Sequence, residues 1–347
     1  MAGIFTVSLD FELHWGGFEK WPLKVLDFKS QSRAAGGYLQ AEKHDYANYF
    51  LNTRQVIPEM LTLFAAYEVH ATWATVGMLF HPTKAQLLQY APDLKPDYTE
   101  KKLSAYNYVE NHGIGEDEDS DPFHFAPSLI RKIVETPDQE LASHSFAHYY
   151  CNEPGQNLEQ FRADLKAAQR SALLFGRELK SLVFPRNQFN DEYLKVCFEE
   201  GVTAVRSNPL DWFWHIQSTQ SESLWKRANR GLDAYLPIGK RTTYPITSIS
   251  RHANLPICLP ASRLLRPHNP RHRVLNQLRI RRICNEMTSA ARYDHMYHLW
   301  WHPHNFGAFP EESLKELQFL LEHYSRLCKK FKMISKSMNE VADHFFQ

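Results

Sequence analysis

Cysteine is scarce and scattered in this sequence. The 347 residues hold five, Cys151, Cys197, Cys258, Cys284 and Cys328, an odd number with no CxxC pair. These cysteines read as free thiols in a reducing compartment rather than as a disulfide framework. Long apolar runs are missing as well. None approaches the roughly 18 residues of a membrane-spanning helix. The opening MAGIFTVSLDF has neither the basic flank nor the long apolar stretch of a secretory leader, so a cytoplasmic protein is expected. Neither sign of charge is in excess: 40 Lys+Arg stand against 39 Asp+Glu, a formal charge of +1. Nothing in that balance favours nucleic acid or an acidic membrane as partner. Repeats and linkers rich in Gly, Ser or Pro are absent too, and one domain is expected over residues 1–347.

What is present is an alternation of short apolar runs with longer segments of helical period. The strand-like runs are IFTVSLD (4–10), VHATWATVG (69–77), QELAS (139–143), SLVFP (181–185), VTAVRS (202–207), LPICLP (255–260) and HMYHLWWH (295–302). Helical patterns cover Thr53 to Tyr67, Pro127 to Glu135, Leu158 to Phe175, Asp191 to Glu200, Arg273 to Arg292 and Pro310 to Phe331. Alternation at this spacing predicts an α/β fold with a parallel sheet and crossover helices. About seven such units favour a closed or nearly closed barrel. Two stretches break the rhythm, about 81–126 and about 208–254. Long loops in a compact domain tend to cover a site.

The first strand carries the sharpest signal. TVSLDFE places Asp10 and Glu12 two positions apart at the end of an apolar run. Side chains at i and i+2 of a strand share a face, so two carboxylates would stand side by side where barrel enzymes keep their active sites. Such a pair repels unless a cation sits beside it, which makes it half of a candidate metal site. HSFAH supplies the other half. His144 and His148, four apart after a strand, would stack on one face of a helical turn and converge on one ion. Ser145 stands where a metalloprotease HExxH needs its Glu, which excludes that class. FPRN puts Arg186 at a third strand end, where a guanidinium can hold a carboxylate ionised. LWWHPH puts His302 and His304 at a fourth, where an imidazole suits general-acid work near neutral pH.

TVSLDFE, HSFAH, FPRN and LWWHP, in that order, resemble the NodB-homology polysaccharide deacetylases of carbohydrate esterase family 4. The resemblance runs from about residue 4 to residue 309, with gaps in the two long loops. It implies a distorted (β/α)7 barrel and metal-assisted removal of an N-acetyl group from a sugar. Residue by residue, it implies that Asp10 is the catalytic base and that Glu12, His144 and His148 are metal ligands. Arg186 would tether the base, and His302 would be the general acid. Two departures stand out: Asp-x-Glu replaces two consecutive Asp in the first motif, and Pro-Arg replaces Arg-x-Pro in the third. They resemble a cytoplasmic branch linked to surface-polysaccharide biosynthesis. Asp211 in NPLDW only faintly echoes the fourth motif and receives no role.

The implied cofactor is a divalent metal, zinc first, with Co, Mn or Fe also suited to imidazole and carboxylate ligands. The implied substrate is an N-acetylated sugar, free or linked to a nucleotide or lipid. An N–H near Asn187 is a candidate oxyanion donor. Two other readings fit parts of the pattern. A glycoside hydrolase would use Asp10 and Glu12 as acid and base but leaves HSFAH unexplained. A catalytically inactive carbohydrate-binding protein would account for the drifted motifs. Trp15, Trp212, Trp214, Trp300 and Trp301 could stack on sugar, although core packing is the better expectation for at least half of them. The run Arg266, Arg271, Arg273, Arg279, Arg281 and Arg282 could meet a phosphate of a nucleotide- or lipid-linked sugar, but reads first as a solvated helix face.

Overall fold

The computed structural model describes residues 2–23, 38, 46–214, 224–236, 238–239 and 242–346. Ten strands occur among them: β1 (Ile4–Phe11), β2 (Ala71–Thr75), β3 (Gln139–Ser143), β4 (Ser181–Val183), β5 (Ala204–Ser207), β6 (Tyr244–Pro245), β7 (Ile257–Pro260), β8 (Arg263–Leu264), β9 (His295–Trp301) and β10 (Ile334–Ser335). The helices are α1 (Tyr46–Ala66), α2 (Lys84–Tyr90), α3 (Ala105–Asn111), α4 (Pro127–Glu135), α5 (Leu158–Leu173), α6 (Asp191–Glu199), α7 (Leu224–Asp233), α8 (Arg273–Tyr293), α9 (Pro310–Phe331) and α10 (Met338–Phe346).

All seven strand-like runs of the sequence are strands, and the six helical patterns are helices, α1 beginning seven residues earlier than its pattern. The loop 81–126 contains α2 and α3, which are too short for periodicity to register. The strands run β9-β1-β2-β3-β4-β5-β7 in space, each parallel to its neighbour. Closure comes from a change of partner within one extended segment. Residues Ile257–Pro260 pair with β5, Ala261 N donates to Ser207 O at 2.9 Å, Ser262 N donates to His298 O at 2.8 Å, and Arg263–Leu264 pair with β9. The barrel is distorted at that switch.

The alternation along the strands sorts the two faces. Phe5, Val7, Leu9 and Phe11 of β1 pack outward in one core with Phe50, Val56, Ile57, Met60 and Phe64 of α1 and with α8 and α9. On β9, Tyr297, Leu299 and Trp301 do the same. Each fully buried large apolar side chain contributes roughly 1.5–3 kcal/mol, so this layer is where the barrel gains its stability. The opposite face of β1 carries Thr6, Ser8 and Asp10, all buried.

Candidate metal and proton-transfer site

β1 ends at Phe11, and Glu12 (φ −130°, ψ −17°) opens a turn over Leu13–Gly16. The turn needs glycine at position 16, because a Cβ there would collide with the Glu12 carboxylate. Both carboxylates converge on one imidazole: His302 Nε2 is 3.6 Å from Asp10 Oδ2 and 3.5 Å from Glu12 Oε1.

The HSFAH segment reaches the same point by a different route from the helical turn expected. Residues after β3 form an irregular loop, with Ser145 (φ 61°) and His148 (φ 54°) in the left-handed region. Such a conformation is costly for residues other than glycine, and it persists where surroundings over-determine it. Here the buried Asp164 of α5 does so. Its carboxylate accepts from Phe146 N at 2.6 Å and Ala147 N at 3.0 Å, while Ser145 Oγ accepts from Tyr149 N at 2.7 Å. α5 is itself fixed by a reciprocal cap, Asn157 Oδ1 accepting from Gln160 N and Gln160 Oε1 from Asn157 N, each at 3.0 Å.

The loop brings the two imidazoles together with ring centroids 5.1 Å apart. His144 Nδ1 lies 2.8 Å from Val183 O, which can only accept, so the proton is on Nδ1 and Nε2 carries the lone pair. His148 Nδ1 lies 3.0 Å from the Tyr150 hydroxyl. The free nitrogens point at Glu12 Oε2, at 3.2 Å for His144 and 3.0 Å for His148. These three donor atoms lie within 4.8 Å of one another. Burial pushes the His148 pKa down, keeping that imidazole neutral as a ligand must be. Burial alone would raise Glu12, but His302, His144 and His148 outweigh it and hold the carboxyl well below its ordinary range. The donor set fits one divalent cation, with positions left for water and substrate.

Asp164 yields a prediction. Burial raises its pKa to about 7, so between the ordinary carboxylate range and about pH 7 the folded chain binds a proton that the unfolded chain does not. Stability attributable to this group therefore falls as pH rises through that window and is level above it. Asp164→Asn, which cannot ionise, is expected to show a smaller loss of unfolding midpoint from about pH 5 to about pH 8 than the parent protein.

Arg186 is placed where the tether expectation fails. With φ 55° in the turn after β4, it directs its guanidinium to Glu19, to Glu153 at 3.7 Å and over the Tyr150 ring at 4.0 Å. The residue that grips Asp10 is Arg206 of β5. Its Nη1 donates to Asp10 Oδ1 at 2.6 Å and its Nη2 to Oδ2 at 2.8 Å. Ser8 Oγ (3.1 Å) and Asn187 Oδ1 (3.2 Å) accept from the same guanidinium, which lies over Trp300 at 4.2 Å. Burial would raise the Asp10 pKa, but Arg206, followed by His302, holds it below the usual carboxylate range. The Asp10 carboxyl is therefore ionised at neutral pH. The Asn187 N–H is already bound to Phe184 O at 2.9 Å, so it is not an open oxyanion donor.

The two histidines of LWWHPH differ in exposure. His302 is 26% exposed in its side chain; His304 is 4% exposed, stacked on it with centroids 4.9 Å apart. Burial and His302 push the His304 pKa down to about 3. Trp15 and Trp301 are core residues, Trp300 covers Arg206, and Trp212 is exposed. Arg279 and Arg282 are buried in ion pairs with Glu316, Glu286 and Asp233, while Arg271, Arg273 and Arg281 are exposed. His124 lies in a buried chain, its Nδ1 2.7 Å from Asp121 Oδ2 and its Nε2 2.8 Å from His14 Nδ1, which pins the loop 81–126 to the turn after Glu12.

The architecture is thus an α/β barrel with a carboxylate–histidine centre at the C-terminal ends of its strands. A family model for polysaccharide deacetylase matches residues 45–205, a span that includes His144, His148 and Arg186. No curated protein matches the chain in sequence. Among solved structures, a protein assigned as a polysaccharide deacetylase from Mycobacterium smegmatis aligns with a TM-score of 0.55 at 13% identity, covering 99% of this chain and 91% of that one. Another so assigned, from Pseudomonas aeruginosa PAO1, gives 0.52 at 13% identity over 99% and 90%. A 4-alpha-glucanotransferase from Thermococcus litoralis gives 0.51 at 13% identity over 99% of this chain and 40% of its own. The barrel is therefore shared with enzymes acting on glycosidic bonds, and fold alone does not choose between them. Over residues 45–205, somewhat less than half of its length, the chain is similar to the polysaccharide deacetylase family.

Proposed function

We propose that the protein is a metal-dependent hydrolase that removes an N-acetyl group from an amino sugar or saccharide. The observation that carries this reading is the meeting of Glu12, His144 and His148 beside an Asp10 clamped by Arg206. A divalent ion held by those three donors, zinc or one of Co, Mn and Fe, would supply Lewis acidity and acidify a water. Asp10 takes a proton from the water that adds to the acetyl carbon. Arg206 keeps that carboxylate ionised and fixed in orientation by two parallel hydrogen bonds. His302 gives a proton to the departing nitrogen as the C–N bond breaks, releasing acetate and an amine. Its partial exposure lets it reach substrate, as a general acid must.

A cavity beside the turn that follows Glu12 is the nearest room for a sugar's further rings. It measures about 720 Å³ and is lined by Glu19 and Trp21 with Phe18, Tyr108 and Phe123. Its lining does not include Asp10, Glu12, His144, His148 or His302; the link to the centre runs through Glu19, the partner of Arg186, and Trp21, which packs 5.4 Å from His304. Aromatic walls suit the C–H faces of a saccharide. The deciding measurement is acetate release from N-acetylglucosamine oligomers by chelated protein, before and after Zn²⁺, Co²⁺ or Mn²⁺ is restored. Release that returns with the ion, and is lost with bound metal in His148→Ala, is the expected result. Cleavage of glycosidic bonds indifferent to chelation would move the protein to the glycosidases. Bound metal without acetate release would leave a carbohydrate-binding role.

A further inference from the structure

The two oxygens of Glu12 have different surroundings. Oε2 faces the Nε2 atoms of His144 and His148. Oε1 faces His302 Nε2 at 3.5 Å and His304 Nδ1 at 3.9 Å. A carboxylate with both oxygens free can take two positions on a cation, and outer partners bias it toward one. His302 divides its attention, since it also lies 3.6 Å from Asp10. Among the described residues His304 has an acid within ion-pair distance only in Glu12.

His304 Nδ1 is buried and makes no hydrogen bond among the described residues. Native proteins seldom leave such an atom unused, because a buried donor without an acceptor is costly. The ring is also held rigidly in place. It stacks on His302 and meets Trp21, Tyr49 and Phe50 at centroid distances of 5.4, 5.8 and 6.0 Å. The turn that carries it is locked to α1: Asn52 Nδ2 donates to Gly307 O at 2.9 Å, and a Cβ at Gly307 would collide with Tyr49 O. A fixed imidazole with one orphan nitrogen, a little beyond bonding distance from a carboxylate oxygen, needs only a small turn of that carboxylate to pair.

We propose that His304 is a positioning residue for the metal centre, donating from Nδ1 to Glu12 Oε1 so that Glu12 presents Oε2 alone to the cation. This rests on the metal-hydrolase reading above. It divides the two histidines of LWWHPH between proton transfer at His302 and ligand orientation at His304.

The test is the Zn²⁺ affinity of the full chain, read by competition with a chromophoric chelator. His304→Phe keeps the ring and its packing but loses the donor, and is expected to weaken binding by about 10–100-fold, the range for outer partners of metal ligands. His304→Asn places an N–H near the same point and is expected to restore most of the affinity. Packing alone predicts the reverse order, with Phe tolerated and Asn impaired. Should His304→Phe not fold, the near-isosteric pair His304→Asn and His304→Leu isolates the donor, with Asn expected to bind more tightly. Equal affinity in parent and His304→Phe, or in Asn and Leu, overturns the inference. A parent protein that binds no Zn²⁺ overturns the metal reading instead.

Discussion

Arg206→Met is expected to abolish turnover and to lower stability by about 3–5 kcal/mol, the cost of leaving one charge of a buried pair without its partner. Asp10 and Arg206 are both nearly inaccessible, and the Arg206 guanidinium, held by two parallel hydrogen bonds and followed by His302, keeps the carboxylate ionised there. With methionine at 206, burial is no longer opposed by a guanidinium, and Asp10 takes up a proton. A protonated carboxyl cannot serve as base. The pH dependence should change with it. In the parent, a carboxyl held below its ordinary range contributes stability above that range, and the contribution is lost as pH falls through the folded-state value. Arg206→Met lacks that contribution, so acidification should cost the variant less than the parent. Urea unfolding at neutral and acidic pH checks the sign, and acetate release checks the turnover.

Asp10→Asn is expected to retain the metal and lose turnover by about 10²-fold or more, the scale of general-base removal. It should also be less stable, because Arg206 then keeps a buried charge with no anion opposite. The double variant Asp10→Asn/Arg206→Met separates the two effects. With neither charge present, much of the stability should return, since neighbouring sites couple rather than add, and none of the turnover. A double variant as unstable as the worse single variant would mean that the pair is not the unit described. A fully active Asp10→Asn enzyme would remove Asp10 from the mechanism.

The parts of this centre differ in how visible they are before folding. Asp10, Glu12, His144, His148 and His302 sit at the ends of strong apolar runs, so one rule about strands and barrels locates them all. Arg206 sits inside such a run, at the fifth position of VTAVRS, and Arg186 nearby looks more accessible. One signal was available: an arginine in an otherwise apolar strand must be paired if it is buried. Asp164 is harder to see, because one acid in an amphipathic helix looks like an exposed residue until the helix is docked. The irregular HSFAH loop was hidden for a related reason. Four-residue spacing implies a helical turn only if nothing competes for the loop's N–H groups, and Asp164 competes. Strand positions were legible because burial on both faces writes continuous apolar runs. β6, β8 and β10 are two residues each and leave no pattern.

The strand that bears Asp10 lies between β2, beginning at residue 71, and β9, beginning at residue 295. One neighbour is thus near β1 along the chain and the other far from it. Contacts of such long sequence separation form slowly, and unpaired strand edges invite misassembly meanwhile. The strand that carries Asp10 therefore keeps one open edge until its distant neighbour docks, so the site at its end forms only with that long-range pairing.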